Sequence, residues 1–160
     1  MTSQRKLMSP ALDPLTVIAR AGSNYPEALK PHVAGRAKQR LGDALGLKNF
    51  GVNLTTIKPG SASALRHWHA TQDEFVYIIS GELVLVTDAG EHVLTAGMCA
   101  GFPAGKSDGH HLVNRSVCEA VFLEVGDRTS GDAVTYPDDD LAGRFADGHW
   151  QFTCKDGTPF

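Results

Sequence analysis

Two histidines one residue apart, His67 and His69, are followed by Glu74, and the strand-like run after them ends at Gly81. On a β-strand successive side chains alternate faces, so His67 and His69 point the same way, and the turn after them can bring the Glu74 carboxylate onto that face. A fourth group is available downstream, in Pro103-Ala104-Gly105-Lys106-Ser107-Asp108-Gly109-His110-His111. Three neutral imidazoles and an ionised carboxylate suit a borderline divalent transition metal such as Fe, Mn, Ni, Co or Zn. Held octahedrally, such an ion keeps two positions open, the mark of a catalytic or substrate-binding centre rather than a closed structural one. The expected metal ligands are therefore His67, His69, Glu74 and His110. His111 points opposite to His110 on a strand and is expected to support rather than ligate.

The elements that must position these groups read as β-strands. Val52–Ile57 is β-branched and ends at Pro59-Gly60. The same pattern repeats in Leu65–His69, Glu74–Ser80, Glu82–Thr87, Glu91–Leu94, Met98–Phe102, His110–Asn114 and Ala120–Val125. Gly81, Asp88-Ala89-Gly90, Ala96-Gly97 and Asn114-Arg115-Ser116 supply the turns. Eight short strands with no helix between them predict an all-β antiparallel sandwich or barrel. Before them, Arg36 to Leu45 reads as a short helix, with Leu41 and Leu45 on one face and Gly46 as its stop. Its basic run, Arg36-Ala37-Lys38-Gln39-Arg40, reads as a solvated helix face. The Leu15–Ala19 cluster reads as a short strand or an arm docked on a sheet edge. Asp138-Asp139-Asp140 reads as a solvated loop, since no cage of further oxygens accompanies it.

The two ligand-bearing segments resemble the paired motifs of the cupin superfamily, G-x5-H-x-H-x3,4-E-x6-G and G-x5-P-x-G-x2-H-x3-N. The first is met by His67, His69, Glu74 and Gly81, with Gly60 one residue early; the second by Gly97, Pro103, Gly105, His110 and Asn114. Four residues stand where the second motif has two, so counting from Gly105 reaches Asp108, whereas counting back from Asn114 reaches His110. The wider wording is similar to small bacterial single-domain (monocupin) proteins. The resemblance implies a jelly-roll β-barrel (double-stranded β-helix), a bound divalent metal and frequent homodimerisation. It implies no particular reaction, because the fold hosts many.

Composition bounds the rest. A chain of 160 residues can bury roughly two-thirds of its unfolded surface and needs no staples to hold a core. It is expected to form one domain: an arm and short helix over 1–49, a barrel over 50–126 and a C-terminal extension over 127–160 packed on it. A net charge of −3 without a long basic run gives no electrostatic case for nucleic acid or an anionic membrane. Cys99, Cys118 and Cys154 form no C-x-x-C and read as idle thiols of a reducing compartment. Pro10 and Pro14 interrupt any apolar stretch behind Arg5 and Lys6 before signal-peptide length, so a soluble cytoplasmic protein is expected.

Alternation also sorts the pocket. Leu65 should face inward with the histidines, and Val76 and Ile78 with Glu74, joined by Leu112, Phe102 and Leu83 or Val84. Arg66 and Trp68 should face away, as should Phe75, Tyr77 and Ile79. A strand apolar on both faces needs a second cover, so a homodimer through Trp68, Phe75 and Tyr77 is expected. No Arg or Lys has the parity to line the pocket, with Lys106 at most at its mouth. This puts a metal-dependent oxygenase or lyase on a small organic substrate ahead of a sugar or sugar-phosphate isomerase or epimerase, because phosphate recruits cations. A non-catalytic small-ligand-binding module is the reading from another class. Asp73, Asp108 and Tyr77 are the nearest acid or base candidates, and the catalytic residues stay unassigned.

Overall fold

The computed structural model describes residues 10–160; Arg5 and Lys6 lie outside them. Among the described residues the chain is mostly β, and no helix is long and apolar enough to cross a membrane. Thirteen strands fall into three sheets. The largest contains β1 (Arg20–Ala21), β2 (Arg36–Arg40), β3 (Phe50–Ile57), β10 (Ala120–Asp127), β5 (Glu74–Ser80) and β8 (Cys99–Phe102), in the order β1-β2-β3-β10-β5-β8. A three-stranded sheet pairs β7 (Gly90–Thr95), β6 (Glu82–Thr87) and β9 (His111–Val113). The third joins β13 (His149–Thr153), β12 (Ala142–Ala146), β11 (Ala133–Thr135) and β4 (Trp68–His69). Every paired ladder is antiparallel.

Each of the eight expected strands has a counterpart, although Leu65–His69 shrinks to Trp68–His69 with His67 in an isolated bridge before it, and alternation governs β5 as anticipated. On β5, Val76 and Ile78 are buried while Phe75, Tyr77 and Ile79 are exposed. The main core joins Ile57, Val76, Ile78, Leu83, Leu85, Leu94, Leu112, Ala120 and Phe122, contributed by the six- and three-stranded sheets. Gly81 permits the β5–β6 turn: its φ is +76°, and a Cβ there would meet Ala120 Cα and the Glu119 carbonyl oxygen at 2.8 Å. Only glycine accepts both the left-handed backbone and that approach.

The flanks depart from expectation. Arg36–Arg40 is a strand, not the first half of a helix; only Leu41–Ala44 is α-helical (α1). Propensity loses to pairing, because β2 runs in register along β3 from Arg36↔Ile57 to Arg40↔Asn53. The proposed helical face is not buried either, since Leu45 is exposed. Gly46 does end the helix, at φ +75°. The Leu15–Ala19 arm is docked rather than paired: Gln39 Nε2 donates to the carbonyls of Pro14 and Val17. The C-terminal extension adds β11–β13, and a second core unites Tyr25 and Val33 with Leu65, Val134, Tyr136 and Leu141.

Phe122, 1% exposed, fills the centre of the main core. Phe122→Ala is expected to lower unfolding free energy by about 3–5 kcal/mol, read as a shift in the urea midpoint with unchanged slope.

Candidate metal centre and cavity

Strand β4 is short, and the backbone around it is held by an isolated bridge: His67 N donates to the His110 carbonyl at 3.1 Å, and His110 N to the His67 carbonyl at 2.8 Å. That bridge brings the second motif against the first. From β5, Glu74 Oε2 then lies 2.8 Å from His110 Nε2, 3.4 Å from His69 Nε2 and 3.5 Å from His67 Nε2. Ligands about 2.1 Å from a common ion stand about 3.0–3.4 Å apart, close to the three Glu74-to-imidazole distances, and the donor atoms of His67, His69 and Glu74 all lie within 4.8 Å of one another. His67, His69 and Glu74 form the group able to hold a metal ion.

Each ring is set by its other nitrogen or its neighbour. His67 Nδ1 donates to the Leu65 carbonyl at 2.7 Å, leaving Nε2 as the free lone pair. His69 Nδ1 bonds Asp132, a fully buried carboxylate whose other oxygen accepts from Thr71 N at 2.8 Å and Thr71 Oγ1 at 3.0 Å. The His110 ring stacks on Phe102, with centroids 3.5 Å apart. Its Nδ1 is buried and has no partner among the described residues, so Nε2 carries the proton donated to Glu74. Of the other candidates for the fourth position, Asp108 accepts from the Asp88 amide, and His111 Nδ1 bonds the Ala64 carbonyl.

Charge balance in the cluster is tight. Burial pushes the Glu74 carboxyl up, but the imidazoles of His110, His67 and His69 outweigh it and hold it well below the usual range. Burial pulls His69 down, yet Glu74 and Asp132 raise it to about 9. His110 is lowered, chiefly by burial. Glu74 and Asp132 thus favour a cationic partner between them, a role a divalent cation could take.

The cluster opens into a cavity of about 700 Å³. Its walls carry cations, contrary to expectation: Arg20, Arg36, Lys38, Arg40 and Arg128 all line it. The physical reason is the β2 ladder, in which Arg36, Lys38 and Arg40 share the inward face while Gln39 faces the arm. A basic residue at every second position of Arg36-Ala37-Lys38-Gln39-Arg40 was the available signal. Arg36 bonds the carbonyls of Ser63 and Gly22. Lys38 Nζ lies 2.7 and 3.0 Å from the two oxygens of Glu124. Arg128 bonds Asp43 and the Leu47 carbonyl. Arg66 and Arg115 do face away, into ion pairs with Asp138 and Asp88 and with Glu91. Trp68 and Lys106 border a second cavity of about 210 Å³. Neither Asp73, which accepts from Ala104 N, nor exposed Tyr77 borders the large one. Cys99 and Cys118 are exposed free thiols.

Residues 53–126 match the model of the cupin domain. Over 94% of this chain and 96% of the other, the fold superposes with a TM-score of 0.91 and 48% identity on a sugar phosphate isomerase from a cupin superfamily, from Silicibacter pomeroyi. The chain belongs to the cupin superfamily. A second structure, from Acidithiobacillus ferrooxidans and provisionally named a sugar phosphate isomerase, shares 30% identity at a TM-score of 0.73, covering 82% of this chain and 83% of that one. A polyketide cyclase from Streptomyces resistomycificus, 20% identical with a TM-score of 0.63, covers 75% of this chain and 80% of its own and shares the fold. No curated protein matches. In this cupin the family segment holds all four expected ligands, whereas Asp132 and all five cavity cations lie outside it; only sequence-distant pairing reveals them.

Asp132 fixes the His69 tautomer. In Asp132→Asn the amide would donate to Nδ1 and move the ring proton to Nε2, removing the lone pair that faces Glu74. Metal affinity is expected to fall about 10–100-fold with an unchanged circular dichroism spectrum, measured by competitive chelator titration. Equal affinity in the two proteins would make Asp132 purely structural.

Proposed function

We propose that this cupin is a metal-dependent isomerase of a small phosphorylated sugar, with His67, His69, Glu74 and His110 as ligands of a divalent transition metal. The observation that carries this reading is the sharing of one cavity by the His/Glu cluster and five cations. It reverses the preference for an oxygenase or lyase, which rested on a pocket without cations. The 48%-identical relative named as a sugar phosphate isomerase supports the same reading. When bound, the metal would supply Lewis acidity to substrate oxygens at its open positions.

The six-stranded sheet orders the chemistry. Glu74 stands on β5, and β2 lies three strands away, about 14 Å at the usual interstrand spacing. Arg40 extends from β2 with one long contact, 3.9 Å to Asp43, and Arg20 from the neighbouring β1. A phosphate bound by these guanidiniums would place the carbonyl end of an extended sugar chain toward the cluster, and the long cationic side chains close much of that span.

The test is isomerisation of a panel of aldose phosphates by protein loaded with Mn, Fe, Ni or Zn, followed by NMR. Turnover is expected, with kcat/KM at least about tenfold lower for the unphosphorylated sugars because the cavity guanidiniums would lose their anionic partner. Arg40→Ala should raise KM for the phosphorylated substrate. Oxygen uptake with a catechol or diketone and no isomerisation would restore the oxygenase reading; tight phosphate-ester binding without turnover would favour the binding module.

The jelly-roll closure of the three sheets and a cytoplasmic site of action belong to the same proposal, as does a homodimer. The exposed face of β5 carries Phe75, Tyr77 and Ile79, each more than 40% accessible. Trp68, on a different sheet, is not needed for it. Light scattering is expected to give twice the chain mass at micromolar concentration, and Tyr77→Lys to give the single-chain mass.

A further inference from the structure

Interconverting an aldose and a ketose requires a base that removes the hydrogen beside the carbonyl and returns a proton to the neighbouring carbon. That base must border the cavity, be ionised and stand within one substrate length of the group that holds the carbonyl. Few carboxylates border the large cavity. Glu74 is engaged by three imidazoles. Asp43 stands at the β2 end and is bonded to Arg128.

Glu124 remains. It lies on the inward face of β10 between Phe122 and Gly126, where alternation would otherwise place an apolar residue. Lys38 Nζ donates to both of its oxygens at 2.7 and 3.0 Å, and Asn53 Nδ2 donates to Oε1 at 2.9 Å. The Glu124 side chain is 17% exposed and Lys38 26%, on the cavity side. An inward ion pair of this kind is weak evidence for stability, because apolar residues of similar volume would serve the core as well.

Its position fits the chemistry. The ladder sets Glu124 opposite Val76 and Gly126 opposite Glu74. Glu124 and Glu74 are therefore diagonal neighbours on one face, about 7–8 Å apart, leaving room for a carbonyl and its adjacent carbon between them. The phosphate-facing cations of β1 and β2 lie on the far side of Glu124, so the three functions stand in the order a sugar phosphate requires.

Resting on the isomerase reading, we propose that Glu124 is the proton-transfer base, with Lys38 and Asn53 as positioning residues. The carboxylate takes the proton from the carbon next to the aldehyde. The C–H electron pair forms the C=C bond of an enediolate, and the carbonyl pair moves onto oxygen. The proton of the adjacent hydroxyl passes to that oxygen. Protonated Glu124 then gives its proton to the former aldehyde carbon as the second carbonyl forms, so atoms and charge balance and the carboxylate is regenerated. One base acting on one face of the enediolate predicts partial internal transfer of the substrate hydrogen between the two carbons.

The experiment follows deuterium by NMR during incubation of the metal-loaded protein with aldose phosphates, once as unlabelled substrate in D2O to read solvent exchange and once as C2-deuterated substrate in H2O to read internal transfer. Wild type should incorporate solvent deuterium at C1 of the ketose and carry part of the C2 label there. Glu124→Gln should lose both by at least about 100-fold while keeping metal content and inorganic phosphate binding. Glu124→Asp keeps the charge but withdraws the carboxylate by one methylene, and should be slowed at least tenfold; it decides the matter if the Gln variant does not fold. Lys38→Met should lower kcat with little change in KM, and Lys38→Arg should restore much of it, because the cation orients the carboxylate without touching substrate. Wild-type exchange rates in both Glu124 variants would overturn the assignment and leave the isomerase reading intact. A wild-type protein that exchanges nothing across the panel would overturn both.

Discussion

The structure depends on the compensation of one inward carboxylate. Glu74 projects from β5 into the interior, where an unpaired charge would be costly. Three imidazoles answer it, and none of them is adjacent to it in sequence. Two come from the segment entering β4 and the third is delivered by the His67–His110 backbone bridge. Because the bridge fixes main chain rather than side chain, the donor atoms converge without relying on flexible loops. Asp132 adds a second buried carboxylate, reached because β11 pairs with β4 through Val134↔His69. The C-terminal extension is thus part of the centre rather than an appendage to it.

A second constraint shapes the cavity. Inward cations on β2 must be satisfied, and they are satisfied unequally. Arg36 is spent on backbone carbonyls and Lys38 on Glu124, while Arg40 keeps only a 3.9 Å contact with Asp43. The wall therefore contains both fixed charges that shape it and a less committed one that can meet an anion. Tyr25 and Tyr136 also line the cavity near Arg36, both pushed up by burial and both neutral phenols. Cations and phenols sharing a cavity with a His/Glu cluster make an environment for a polar, anionic substrate.

The division between family core and flanks follows from this. The segment 53–126 that matches the cupin domain carries His67, His69, Glu74, His110 and Glu124. Residues before it supply Arg20, Tyr25, Arg36, Lys38 and Arg40; residues after it supply Arg128, Asp132 and Tyr136. The shared core holds the proposed ligands, and the surroundings that would select a substrate come largely from the two ends. Similarity to the Silicibacter pomeroyi protein extends over 94% of this chain, flanks included, whereas the family match alone stops short of them.

Alternation along β5 was legible from sequence because Val76 and Ile78 against Phe75, Tyr77 and Ile79 is a local, period-two pattern that no tertiary contact needs to decide. The ligand set was legible for the same reason, its spacing being that of a strand, a turn and a second strand. Which of His110 and Asp108 stands against the cluster was not, since an insertion defeats counting and the backbone bridge to His67 is what sets His110 beside Glu74. Arg36-Ala37-Lys38-Gln39-Arg40 is compatible with either helix or strand, and pairing with β3 settled it, turning an assumed solvated face into a cavity wall. Asp132 and Glu124 carry no local mark of function: one is a carboxylate 63 residues from the histidine it holds, the other an acid in an apolar run. Local periodicity determined which residues share a face; long-range strand pairing determined which faces meet, and that is what assembled the cavity.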